Sequence, residues 1–270
     1  MKLLRRIAIT LVVALVLAYV AGLVALYTLQ RSFQYEPEGE VTELSGTALT
    51  KAEPVTIPVG DDATVSGWYQ APAPGKPVIL YLKGNAGSFT REHDRYEAFA
   101  ADGYGFLAFD YRGFPLSPGT ISEAHILEDA LAVFDWVTAK GAPVLIWGRS
   151  LGSGPASYVA SERDAQALYL ETPFDSAVSV GQARYWFFPV GLLMQDQFRV
   201  DLWLPKVSEP TFVAVGSVDT TIPPEHGRHA YELAANKAGF WEQAGAGHGD
   251  LWAAGEWQAH ARPFFEGVAP

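Results

Sequence analysis

The 270-residue chain contains no cysteine and only two methionines. The absence of thiols excludes a disulfide framework, a cysteine nucleophile and thiolate-held zinc or iron–sulfur sites. Basic residues are also scarce. Lys2, Arg5 and Arg6 are the only charges in the first 30 positions, so residues 31–270 hold 16 basic and 30 acidic groups. A body with net charge −14 repels phosphate backbones, which excludes nucleic acid as a natural partner. Internal repeats, low-complexity linkers and Asn-x-Ser/Thr sequons are missing as well. What is abundant is apolar: 49% of residues are hydrophobic and 13% aromatic, as in an ordinary globular protein with a large core.

No charge occurs between Arg6 and Arg31. As a helix, residues 7–29 would extend roughly 35 Å, enough for a hydrocarbon core of about 30 Å. The run exceeds the apolar segment of a usual signal peptide, about 7–15 residues. It therefore reads as an uncleaved transmembrane anchor. Ala18, Ala21 and Ala25 leave cleavage as the alternative. The basic cluster places the amino terminus in the cytoplasm and the body outside it, in the periplasm of a Gram-negative cell. The expected division is a stub at 1–6, an anchor at 7–29, a tether and opening loop at 30–54, and a catalytic body at 55–270.

Within the body, short apolar runs at 78–82, 105–109, 144–147, 167–170 and 211–215 alternate with helical patterns, among them 225–238. Such runs suit parallel strands buried on both faces, with helices covering the sheet. Ligands on such a sheet gather at the carboxyl ends of the strands.

The unusual residues fall there. Gly148-Arg149-Ser150-Leu151-Gly152 follows a strand and precedes a helix, so G-x-S-x-G acquires the context of a nucleophile on a sharp turn. The Leu151 amide then points to where an oxyanion would form. A serine needs a base, and the base needs an orienting carboxylate. His248 lies among three glycines on a loop after a probable strand at 240–243. The other histidines, His93, His125, His226, His229 and His260, read as helix-face or surface residues. Asp219 follows the run at 211–215, with Glu171 and Asp175 as alternative acids.

These motifs resemble the α/β-hydrolase superfamily and, within it, membrane-anchored single-pass serine hydrolases related to protein depalmitoylases. The resemblance rests on Gln30-Arg31-Ser32-Phe33-Gln34-Tyr35, Tyr81-Leu82-Lys83-Gly84-Asn85-Ala86-Gly87, Asp110-Tyr111-Arg112-Gly113, the Ser150 motif, Glu171-Thr172-Pro173-Phe174, the Asp219 loop and Gly247-His248. It implies an α/β-hydrolase fold with a mostly parallel sheet, helices on both faces and a cap insertion at about 174–209, preceded by one transmembrane helix. It also implies that Asn85 supplies the second oxyanion-hole amide and that no cofactor or metal is needed. The branch usually has histidine where this chain has Lys83. That lysine is expected either to meet an anionic substrate group or to pack its stem and send its head to solvent.

The cap is rich in aromatics. Phe187 and Met194, with Lys83, are the candidate substrate-binding residues. The expected activity is hydrolysis of a carboxylic ester or thioester through Ser150, His248 and Asp219, on a small or lipid-like acyl substrate. A peptidase of the same fold and a non-catalytic membrane-tethered binding module are the alternatives.

Overall fold

The computed structural model describes residues 1–60 and 62–268. Helix α1 (Lys2–Gln34) leads into an eight-stranded sheet with intervening helices. The strands are β1 (Glu53–Pro58), β2 (Thr64–Gln70), β3 (Val78–Leu82), β4 (Gly105–Phe109), β5 (Val144–Arg149), β6 (Ala167–Glu171), β7 (Thr211–Gly216) and β8 (Lys237–Gln243), in spatial order β1-β2-β4-β3-β5-β6-β7-β8. β1 pairs antiparallel with β2, and β2 with β4. From β4 to β8 every pairing is parallel.

Alternation along the strands divides the core into two layers. In β3, Val78, Leu80 and Leu82 face the layer covered by α3 (Glu123–Thr138) and α4 (Ser153–Glu162). Ile79 and Tyr81 face the layer covered by α2 (His93–Ala101) and α9 (Arg262–Val268). α3 presents Ile126, Ala130, Val133, Phe134 and Val137 to the first layer. That spacing makes one apolar helix face, and Ser122 caps it by accepting the His125 amide. Each leucine or phenylalanine fully buried in this way contributes about 1.5–3 kcal/mol.

The segment between β6 and β7 carries the cap, with α5 (Ala177–Arg184), α6 (Val190–Leu193) and α7 (Val200–Trp203). α8 (Pro224–Leu233) then leads to β8. The helical pattern expected at 225–238 ends earlier, at Leu233, and residues 237–238 join β8 as it pairs with β7.

The apolar helix also runs past the expected end of the anchor. α1 does not stop at Leu29; it runs five residues further and docks on the cap. Gln30 Nε2 donates to the Leu193 carbonyl at 3.1 Å, and Gln34 Nε2 to the Asp196 carbonyl at 3.0 Å. Arg31 forks onto buried Asp196 at 2.8 and 3.2 Å. Residues 30–34, expected in a tether, are thus the fixed end of a helix.

Candidate active site

β5 ends in a turn that only a few residue types allow. Ser150 has φ +51°, a left-handed conformation that costs a non-glycine residue energy and recurs at functional sites. Its glycines are dictated by close approach. A Cβ on Gly152 would fall 1.9 Å from the Leu82 carbonyl oxygen, and one on Gly148 would fall 2.4 Å from Ala156 Cβ. The turn therefore presses against β3 and α4, and lifts Ser150 above the sheet edge.

The His248 loop, after β8, meets it. His248 Nε2 lies 2.8 Å from Ser150 Oγ, and His248 Nδ1 lies 2.7 Å from Asp219 Oδ2. Asp219 is held from behind, its Oδ1 accepting the amides of Thr221 at 2.8 Å and Ile222 at 2.9 Å. Asp219 is buried, whereas the His248 side chain keeps one-fifth of its surface open. A carboxylate aligned on Nδ1 fixes the imidazole with Nε2 free to accept a proton from the hydroxyl, and it stabilises the imidazolium that results.

The loop after β3 approaches from the other side. A Cβ on Gly84 would stand 3.6 Å from Ser150 Cβ, so this backbone borders the serine. Asn85 is tied to the end of α1: its Nδ2 donates to the Gln34 carbonyl at 2.9 Å, and its carbonyl accepts the Glu36 amide at 3.2 Å. Leu151 and Asn85 both line the cavity that opens onto Ser150 and His248.

That cavity has a volume of about 440 Å³. One wall is Phe174 and Ile222 of the body, and a second is Val180, Phe188 and Met194 of the cap. The third wall comes from α1, through Leu26, Gln30 and Phe33. The sequence placed Gln30–Tyr35 in a recognisable motif but gave it no role. Four polar side chains in five residues directly after an apolar run, Gln30, Arg31, Ser32 and Gln34, were the signal that this helix end is docked.

Two expected substrate contacts do not hold. Lys83 neither faces the cavity nor reaches solvent. It is 1% exposed, with Nζ donating to the carbonyls of Gly87 at 2.8 Å and Gly84 at 3.2 Å. Asp110 lies 3.9 Å away and the Phe114 ring centre 3.6 Å away. Burial pulls its pKa down to about 8, against the opposing pull of Asp110. Lys83 thus braces the loop that carries Asn85 from below. Phe187 points outward, 56% exposed, and its neighbour Phe188 lines the cavity instead. Met194 does line it.

The alternative acids are committed elsewhere. Glu171 is fully buried, accepting from Arg95 at 2.7 and 2.9 Å, Trp147 at 3.0 Å and Arg149 at 3.1 Å. Asp175 bonds His226 and His229, each at 2.8 Å. Among the described residues, no group of three or more His, Cys, Asp or Glu side chains could hold a metal ion.

Known proteins share this architecture. The profile of the family described as alpha/beta hydrolase fold matches residues 77–205. The rat lysophosphatidylserine lipase ABHD12 is 35% identical over 196 residues, 64% of this chain and 49% of that protein. This chain therefore aligns with about half of the lipase's length. An uncharacterized protein of Mycobacterium tuberculosis is 28% identical over 88% of both chains. Among solved structures, the Pyrococcus furiosus esterase Pf2001 superposes with a TM-score of 0.72 at 20% identity, over 88% of this chain and 99% of that one. At that identity the superposition speaks for the fold. With the sheet order, the cap and these matches together, the chain has the α/β-hydrolase fold. It carries an amino-terminal apolar helix long enough to cross a membrane.

Proposed function

We infer that this protein is a membrane-anchored serine hydrolase that cleaves the acyl ester of a lipid. The observation that carries the reading is the hydrogen-bonded chain from Asp219 through His248 to Ser150, opening into an apolar cavity. His248 removes the Ser150 proton as Oγ attacks the acyl carbonyl. The amides of Leu151 and Asn85 receive the oxyanion, and the leaving alcohol departs with the proton from His248. Water then enters by the same route and releases the acid from the acyl-enzyme.

The cavity walls support a long acyl chain, for which burial is worth about 0.8 kcal/mol per CH₂. The lipase names of the matched mammalian relatives favour lipid over acylated protein as the acyl source. Arg184 lines the same cavity, exposed and without a hydrogen-bond or ion-pair partner among the described residues. It offers a counter-charge to an anionic headgroup, as a lysophosphatidylserine-like substrate would need. The positive amino-terminal stub sets the body on the extracytoplasmic side.

The test is a series of p-nitrophenyl esters from acetate to palmitate, with the Ser150→Ala variant and fluorophosphonate labelling in parallel. Activity should rise with chain length and disappear in the variant. A flat or falling profile removes the acyl wall. Equal activity in the variant, or labelling elsewhere than Ser150, removes the mechanism.

A further inference from the structure

The outer face of the cap plays no part in that mechanism. Residues 185–194 are ten positions without a charge. Among them Trp186, Phe187 and Leu192 are 71%, 56% and 86% exposed, and none lines the cavity. Three large apolar side chains exposed in one short segment mark a contact surface.

The position of that segment along α1 identifies its partner. Tyr19 donates its hydroxyl to the Phe187 carbonyl at 3.0 Å, and its ring stacks on Phe188 at 5.3 Å. Gly22 lets the Phe188 ring come close: a Cβ there would stand 3.1 Å from Phe188 Cζ. Tyr19 precedes Leu29, the last residue of the apolar run, by about 15 Å of helix. Half of a hydrocarbon core of about 30 Å is the same length. A bilayer that surrounds α1 must therefore surround the cap tip through the leaflet nearer the body. The polar contacts of Gln30, Arg31 and Gln34 with the 193–196 segment lie at the opposite end, at headgroup level.

We propose that Trp186, Phe187 and Leu192 are immersed in the leaflet nearer the body, and that the seam between α1 and the cap admits the acyl chain of a membrane lipid sideways to Ser150. The seam is bordered by Leu26 and Phe33 on α1 and by Phe188 and Met194 on the cap, all of which line the Ser150 cavity. The substrate then reaches the serine without crossing water, and the anchor helix is a wall of the binding site as well as a tether. This rests on the membrane anchoring and lipid hydrolysis inferred above.

The absence of cysteine makes the test direct. Leu192→Cys and Glu162→Cys each introduce a single thiol for an environment-sensitive fluorophore, in the full-length chain reconstituted into phosphatidylcholine vesicles. Glu162 ends α4, which leads away from the Ser150 turn, and is exposed. The probe at 192 should emit at shorter wavelength than the probe at 162, and doxyl-labelled lipid should quench it several-fold more. Equal exposure of both probes to water overturns the proposal. So does a shielded 192 probe that lipid quenchers do not reach, since a second copy or a protein partner would then cover the patch.

The second arm compares rates. In a Phe187→Ser/Leu192→Ser variant, the ratio of long-chain monoacylglycerol hydrolysis in vesicles to p-nitrophenyl acetate hydrolysis in solution should fall about tenfold. An equal loss on both substrates overturns the lateral route. Fluorescence is read without turnover, so an inactive chain whose 192 probe lies in lipid retires the hydrolase reading and upholds the immersion.

Discussion

Two carboxylates follow adjacent strands of the sheet, Asp175 after β6 and Asp219 after β7, and each is bonded to histidine with a serine nearby. Around Asp219 the contacts run in one direction. Carboxylate meets Nδ1 at 2.7 Å, and the opposite nitrogen, Nε2, meets Ser150 at 2.8 Å. Around Asp175 they converge. His226 and His229 both bring Nδ1 to the same carboxylate, and Ser179 approaches that carboxylate directly and the same Nδ1 of His226 at 3.4 Å. The serine there has no nitrogen poised to receive its proton. Ser150 occupies a strained turn beside a cavity, whereas Ser179 sits in the first turn of α5 and is absent from the cavity lining. The same residue types thus form a line of hydrogen bonds in one place and a clasp between α5 and α8 in the other. Geometry around the imidazole, not composition, separates them.

The largest expected effect breaks the comparison at the serines. Ser150→Ala should reduce kcat by about 10⁴-fold or more, since the hydroxyl, base and acid act as a unit. Ser179→Ala should change kcat by less than about twofold, because surface and helix-face substitutions away from a site rarely do more. Steady-state hydrolysis of one p-nitrophenyl ester measures both. Comparable losses would mean that the clasp takes part in the chemistry.

The next contrast lies at the acids. Asp219→Asn should cost about 10⁴-fold in kcat with the fold intact, because the amide holds the wrong tautomer of the base. Asp175→Asn should leave kcat within a few-fold. It should lower stability by about 1–3 kcal/mol, the usual cost of a part-buried charge-assisted contact left poorly matched. Parallel kinetics and urea unfolding of the two variants separate the roles. An Asp175→Asn variant with full stability and collapsed kcat would reverse the assignment.

Much of this arrangement could be read from the sequence, for local reasons. β5 and β7, which lead to Ser150 and Asp219, are buried on both faces, so continuous apolar runs ending in Gly or a loop reveal them without structural context, whereas β8, which leads to His248, is a part-exposed edge strand of which the sequence showed only 240–243. β1 and β2 escaped because neither is a continuous apolar run: β1 buries only Ile57, and β2 mixes Thr64, Ser66, Gly67 and Gln70 with its apolar residues. β1 also carries Pro54 and Pro58, which read as loop. The direction of Lys83 was not legible either. Its burial depends on Asp110 and Phe114, which reach it only through the tertiary fold. Phe187 and Phe188 are adjacent and alike, and Tyr19, far away in sequence, selects which of them faces the cavity. The docked end of α1 has the same character: Asp196, its partner, lies in the cap.

The smallest effect is confined to acid pH and tests the clasp alone. The hydrogen bonds from His226, Ser179 and His229 outweigh burial and hold the Asp175 carboxyl well below the usual carboxylate range. A group with a depressed folded pKa stabilises the native state fully above its unfolded pKa, about 3.9 for aspartate, and loses that contribution as pH falls toward the folded value. The unfolding free energy of the parent minus that of Asp175→Asn should therefore shrink as pH falls from about 5 to below about 4, a range that lies under the titration of the histidines. Taking the difference removes the other carboxylates, which titrate in both proteins. A difference that instead grew below about pH 4 would require a raised Asp175 pKa, and the clasp would then be a destabilising contact held in place by the cap and α8.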